Sequence, residues 1–96
     1  MKILVGIKPV KSYLVYALTS LATDNNILIM ARGRSISKAV DLAEILKRQT
    51  KGLEQKSIVI GTETVHDKKT DRDVRVSTIE ISLNRQDSTK EQSTKK

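Results

Sequence analysis

The sequence predicts an α+β fold with the element order β-α-β-α-β-β. Two short apolar runs are each followed by apolar residues at helical spacing, and the last third of the chain is β-branched and alternating. At 96 residues there is room for one domain.

Ile3 to Ile7 is a short, continuous apolar run ending near Gly6, and it reads as a buried strand. Pro9 suits the first turn of a helix, where its missing N–H is not needed. Val10, Tyr13, Leu14, Ala17, Leu18 and Leu21 then form one apolar stripe, and Thr23-Asp24-Asn25-Asn26 ends that helix. Ile27 to Ala31 is a second buried strand, followed by the basic turn Arg32-Gly33-Arg34. Ser35 is placed as the N-cap of a second helix running to about Arg48, with Glu44 and Arg48 spaced for an i,i+4 pair. Its apolar residues, Ile36, Ala39, Val40, Leu42, Ala43, Ile45 and Leu46, cover an arc of roughly 220°, wider than one packed face requires. One side must meet the sheet. The remaining flank, assigned to Leu42 and Ile45, is expected to bury itself against a second subunit.

Ser57 to Val65 and Val74 to Leu83 form a long hairpin whose tip, His66 to Asp73, is wholly polar. In its second strand the apolar residues pass from even positions (Val74, Val76) to odd ones (Ile79, Ile81, Leu83), which predicts a bulge near Ser77-Thr78. Residues 1–85 are therefore expected to form the domain. The polar residues 86–96 are expected to be a disordered tail.

Lys and Arg number 18 against 11 Asp and Glu, a formal net charge of +7. Such an excess favours polyanionic partners. There is no Cys and only one His, so no thiolate metal site and no ordinary zinc site is expected, and no cofactor is implied. No apolar run approaches the ~20 residues of a membrane span, and the apolar start is too short for a secretory signal. The reading is of a cytosolic protein. No paired carboxylates, nucleophile with base, or phosphate-cradling glycine loop marks a catalytic site.

Three stretches resemble the Alba family of archaeal nucleic-acid-binding chromatin proteins. They are Val5-Gly6-Ile7-Lys8-Pro9-Val10, then Ala31-Arg32-Gly33-Arg34-Ser35-Ile36-Ser37-Lys38-Ala39-Val40-Asp41, and Arg75-Val76-Ser77-Thr78-Ile79-Glu80-Ile81. The resemblance implies a mixed four-stranded sheet backed by two helices on one face, similar to the C-terminal domain of bacterial translation initiation factor three, with the hairpin extended as an arm. It also implies dimers that bind double-stranded DNA and RNA with little sequence preference and condense DNA, and it implies no catalysis. Two positions depart from the family pattern. Members often carry two lysines before the proline, whereas here Ile7 precedes Lys8. Many have a Phe near the end of the second helix that joins dimer to dimer, where this chain has Thr50. The pattern resembles a second-type paralogue, forming a homodimer or a heterodimer with a Phe-bearing partner. An RNA-binding role in RNA processing or ribonucleoprotein assembly is the alternative.

Lys8 stands at the first strand-to-helix junction, and Arg32 and Arg34 at the second. A helix N-terminus attracts phosphate, and a guanidinium can grip one with two hydrogen bonds. Parallel strand–helix units would bring the two junctions to one edge of the sheet. Lys38 lies one turn into the second helix, near the same surface. Lys11 lies one turn into the first, as an accessory contact or plain surface charge. Arg72 and Arg75 on the arm are candidates for a minor groove; Lys68 and Lys69 are weaker ones. His66 reads as an exposed turn residue, Tyr13 as core, and Tyr16 as a partly exposed packing residue.

Overall fold

The computed structural model describes residues 1–85, so the segment expected to be a disordered tail lies outside the described residues. Strand β1 (Lys2–Leu4) leads to helix α1 (Val10–Ser20), and β2 (Asn26–Arg32) leads through a 3₁₀ turn (Gly33–Ser35) to α2 (Ile36–Gln49). Strands β3 (Leu53–Asp67) and β4 (Arg72–Arg85) complete the chain. The sheet order is β1-β2-β4-β3, with β1 parallel to β2 and the other pairs antiparallel. The predicted α+β architecture is the observed one.

The core lies between one face of the sheet and the two helices. Ile3, Ile27, Ile29, Ala31, Ile79, Ile81 and Leu83 alternate inward from β1, β2 and β4. They meet Ala17 and Leu21 from α1 and its end, and Ala39, Leu42, Ala43 and Leu46 from α2. With no Phe or Trp in the chain, aliphatic packing makes up this core.

The first strand is shorter than the apolar run suggests. Pairing continues only through the Val5 N–H, which donates to the Met30 carbonyl at 2.8 Å. Ile7 lies beyond it and is 98% exposed. Pro9 is the N-cap of α1, in extended conformation, one position earlier than its fixed φ would also have allowed. Ser35 does not cap α2 with its side chain. The chain enters that helix through the 3₁₀ turn, which Gly33 opens with φ of 59°. The expected Glu44–Arg48 pair is replaced by Glu44 with Lys47, three residues apart at 2.7 Å. The Lys47 ammonium holds the Glu44 carboxyl below its ordinary range, so this small stabilisation is present above that range and is lost on acidification.

The expected free flank of α2 is also different. Leu42 is wholly buried in the chain's own core, and Ile45 is half-buried. At about 100° per residue Ile45 shares a flank with Lys38, whose ammonium reaches the loop between β1 and α1. The Ile45 flank therefore faces the α1 side. The apolar residues of α2 that lie outside the core are Val40, 41% exposed, and the half-buried Ile45, whereas Ile36 packs against the core. The core takes the middle of the arc, Ala39, Leu42, Ala43 and Leu46, and leaves Val40 and Ile45 at its two edges.

β3 has Leu53 buried at its start and then runs exposed almost to its end. The last pair between β2 and β4 is Arg32 with Thr78. Beyond that row β3 and β4 continue alone for six pairs, from Thr62–Ser77 to Asp67–Arg72, an arm about 20 Å long. No bulge occurs at Ser77-Thr78. The one irregularity in this pairing is in β3, between Gln55 and Ser57, within the body of the sheet. The change of apolar phase in β4 has another cause. Ile79, Ile81 and Leu83 face the helices, whereas Val76 lies on the opposite face beside the Gly33 turn, its Cγ1 3.5 Å from where a Cβ on Gly33 would be.

Gly33→Ala is expected to cost ~1 kcal/mol, because a side chain is strained in the left-handed region although space for the methyl exists. Leu42→Asp should abolish folding of the chain itself. Chemical denaturation of both variants checks this, and a folded Leu42→Asp protein would contradict the burial assigned to Leu42.

Candidate nucleic-acid interface

Because β1 and β2 run parallel and adjacent, both strands end at the same edge of the sheet and both helices begin there. The junctions are fastened to each other by side chains. Lys38 Nζ donates to the Gly6 carbonyl at 2.9 Å and to the Lys8 carbonyl at 2.7 Å. The Tyr13 hydroxyl accepts from the Gly6 N–H at 2.8 Å and the Lys8 N–H at 3.3 Å. The Gly6–Pro9 loop is therefore held from below by α1 and from the side by α2. The backbone N–H and carbonyl groups of Gly6 and Lys8 are satisfied internally, and the Lys8 side chain is left exposed at the edge.

This arrangement reassigns two residues. Lys38, expected as a charge near the surface, has its ammonium committed to two carbonyls and acts as a clip between the junctions. Tyr13, expected as core, packs against the core while its hydroxyl fixes the loop. Hydrogen-bonding partners of this kind have no signature in a single sequence, because Tyr13 also fits the apolar stripe and Lys38 also fits a solvated helix face.

The structure brings Lys8, Arg32, Arg34 and Lys38 to one region, with exposed Lys11 one turn along α1. Arg34 is exposed and has no hydrogen bond or ion pair among the described residues. Arg32 differs: its Nη1 meets Glu63 Oε1 on the arm at 2.5 Å. Neither α1 nor α2 has a side-chain hydrogen bond at its N-cap or an acidic residue in its first turn. The Ser12 N–H of α1 donates to the Pro9 carbonyl and the Ile36 N–H of α2 to the Gly33 carbonyl, and no carboxylate lies in either first turn to oppose an anion.

On the arm, Arg72 is paired in register with Asp67 and Arg75 with Thr64, so the two arginines stand on opposite faces. His66 lies within β3, not in the turn, and its ring nitrogens face two carboxylates, Asp73 at 3.0 Å and Asp71 at 3.2 Å. The turn itself is shorter than the polar run, covering Lys68 to Asp71, and Asp71 adopts φ of 57°. The Lys69 N–H donates to Asp67 Oδ1 at 2.9 Å. Tyr16 is 56% exposed on α1. Among the described residues no helix is long and apolar enough to cross a membrane.

A family model described as Alba matches residues 2–62. A protein of Nitrosopumilus maritimus named DNA/RNA-binding protein Alba is 40% identical over 85 residues, covering 86% of this chain and 88% of that protein. One of the same name from Methanothrix thermoacetophila is 43% identical over 84 residues, covering 84% and 91%. Among solved structures, Alba from Thermoplasma volcanium superposes with a TM-score of 0.80 at 38% identity, covering 88% of this chain and all of that one.

Tyr13→Phe should leave the fold intact while loosening the loop. Loss of a hydrogen bond of ordinary strength is expected to speed amide exchange at Gly6 by roughly three- to tenfold. Hydrogen exchange followed by NMR measures this, and an unchanged Gly6 amide would show that Tyr13 does not hold the junction.

Proposed function

This chain belongs to the Alba family, and from that premise we propose that it binds double-stranded DNA, and RNA, as a basic dimer that reads phosphates and not sequence. The observation that carries the reading is the meeting of two helix N-termini, free of side-chain caps and of acidic residues, with Lys8, Arg32 and Arg34 at one edge of the sheet. Backbone N–H groups and guanidinium groups are the donors a phosphate accepts most strongly. They carry no code for the bases. The names of the relatives, DNA/RNA-binding protein Alba, favour the same class of ligand. Packaging of the chromosome is the cellular role such binding would serve.

A second copy of the chain is the partner that best fits the apolar surface left open. Ile60 is 76% exposed and Ile58 48% exposed on β3, and Val40 is exposed on α2. Between them a shallow groove of ≈ 430 Å³ is lined by Ile36, Ile60, Ser77 and Ile79 among others. A small domain with an aliphatic core gains from covering such a surface. Dimerisation through this side would place two clusters of Lys8, Arg32 and Arg34 on one particle. Thr50, at the C-cap of α2, is only 9% exposed. It offers little surface for joining one dimer to the next, which favours binding without strong cooperative filaments.

Sedimentation at micromolar concentration should give twice the chain mass, and Ile60→Asp should return the protein to a folded monomer. A wild-type monomer would remove the dimer from the proposal.

Binding should then be measured with matched duplex DNA, duplex RNA and single strands across salt concentrations. Three phosphate-binding groups per subunit, with a contribution from the arms, predict a log–log salt slope of about −5 to −7 on duplex DNA. Arg34→Ala should weaken all duplexes alike and flatten that slope by about 2 per dimer. Scrambled sequences of equal length should bind equally. A slope near zero or a strong base preference would overturn the phosphate reading. Tight binding to RNA with weak binding to DNA would instead favour a role in ribonucleoprotein assembly.

A further inference from the structure

We propose that Glu63 sets the affinity of this interface by holding Arg32, so that the guanidinium takes a phosphate only by leaving an ion pair with the arm. The inference rests on the phosphate-binding reading above and adds to it a residue of opposite charge.

The geometry of the sheet makes the contact possible. Arg32 is the last residue of β2 and shares a cross-sheet row with Thr78 on β4 and Gly61 on β3. Successive residues of a strand point to opposite faces, so Glu63, two residues beyond Gly61, is on the same face as Arg32. That is the face opposite the helices. Gly61 has no side chain to stand in the row, and a Cβ there would already come within 3.2 Å of Thr78 Oγ1. The Arg32 side chain therefore passes over β4 and ends on the Glu63 carboxylate at 2.5 Å. The pair links the last row of the sheet's body to the root of the arm.

Both partners are about half exposed, 54% for Arg32 and 52% for Glu63. An exposed pair in water is weak and exchangeable. A phosphate can therefore displace the carboxylate, but the displacement has two unfavourable consequences. The pair is lost, and a bare carboxylate is left close to a polyanion. Arg34 and Lys8 meet no such requirement, since neither side chain is in an ion pair among the described residues. The three cations expected to act alike thus divide into two that are ready and one that is restrained.

The test compares Glu63→Gln with wild type on one duplex DNA at low salt. The substitution keeps the shape and hydrogen-bonding capacity and removes the charge. Affinity should rise about two- to fivefold, the range an exposed ion pair supplies. Glu80→Gln removes the same charge from the same face, between Met30 and Val59, without touching Arg32, and should give a smaller gain. In an Arg32→Ala background the gain from Glu63→Gln should shrink, because no pair remains to be broken. Equal gains from Glu63→Gln and Glu80→Gln would reduce the effect to general charge and overturn the proposal. Weaker binding by Glu63→Gln would overturn it as well, since Glu63 would then be positioning Arg32 for use. A wild-type protein without affinity for any duplex would remove the phosphate reading itself. Wild-type binding that Arg32→Ala weakens and Glu63→Gln leaves unchanged would remove the Glu63 inference alone.

Discussion

The parallel pairing of β1 with β2 is the constraint on which the other features depend. It is a short contact, with Lys2, Ile3 and Leu4 opposite Leu28, Ile29 and Met30. Parallel neighbours cannot be joined by a tight turn, so the chain must cross back over a face of the sheet, and α1 is that crossover. Once α1 covers one face, α2 buries its own apolar side most fully beside it, and a single core forms around Ile29, Leu42 and Leu46. The same pairing makes both strands end at one edge. Two helix N-termini and the cations beside them are brought together as a consequence of this arrangement.

Three paired residues are little to hold such an edge in place, and the side chains around it compensate. Tyr13 and Lys38 bind the loop after β1 through its backbone, using the N–H groups and carbonyls of Gly6 and Lys8. A loop held by its backbone can change its side chains without changing its path. This is why Ile7 can stand fully exposed where other family members often carry a lysine, and why Lys8 remains free to face outward. The exposed charge at the edge and the charge that positions its loop are separate residues, although both are lysines.

Net charge is a coarse guide to this surface. The chain carries +7, yet the cations near the edge are in different states. Lys38 is bound to carbonyls, Arg32 to a carboxylate, and Arg34 to no described residue. The arm is more balanced still, with His66 between Asp71 and Asp73 and with Arg72 and Arg75 on opposite faces. Its exposure follows from a loss of covering elements: past the row of Arg32 and Thr78, β2 no longer pairs with it and the Gly33 turn reaches only its root at Val76.

The sequence by itself determined the element order, the two strand–helix junctions and the identity of the cations at them. Each of these rests on local chemistry: apolar spacing in α1 and α2, β-branched alternation in β3 and β4, Pro9 before a helix, and Gly33 at a backbone conformation that disfavours side chains. Tertiary structure decided what each residue does once its neighbours are present. Leu42 went to the chain's own core and Val40 stayed open, because the core covers the middle of an arc whose edges periodicity alone does not distinguish from its centre. The apolar phase change in β4 came from a change of covering element at Val76, where a sequence pattern looks the same as a bulge. Glu63 reached Arg32 from 31 residues away because strand register put them on one face. Contacts between distant residues depend on which surfaces pack, and that is settled by the whole core together.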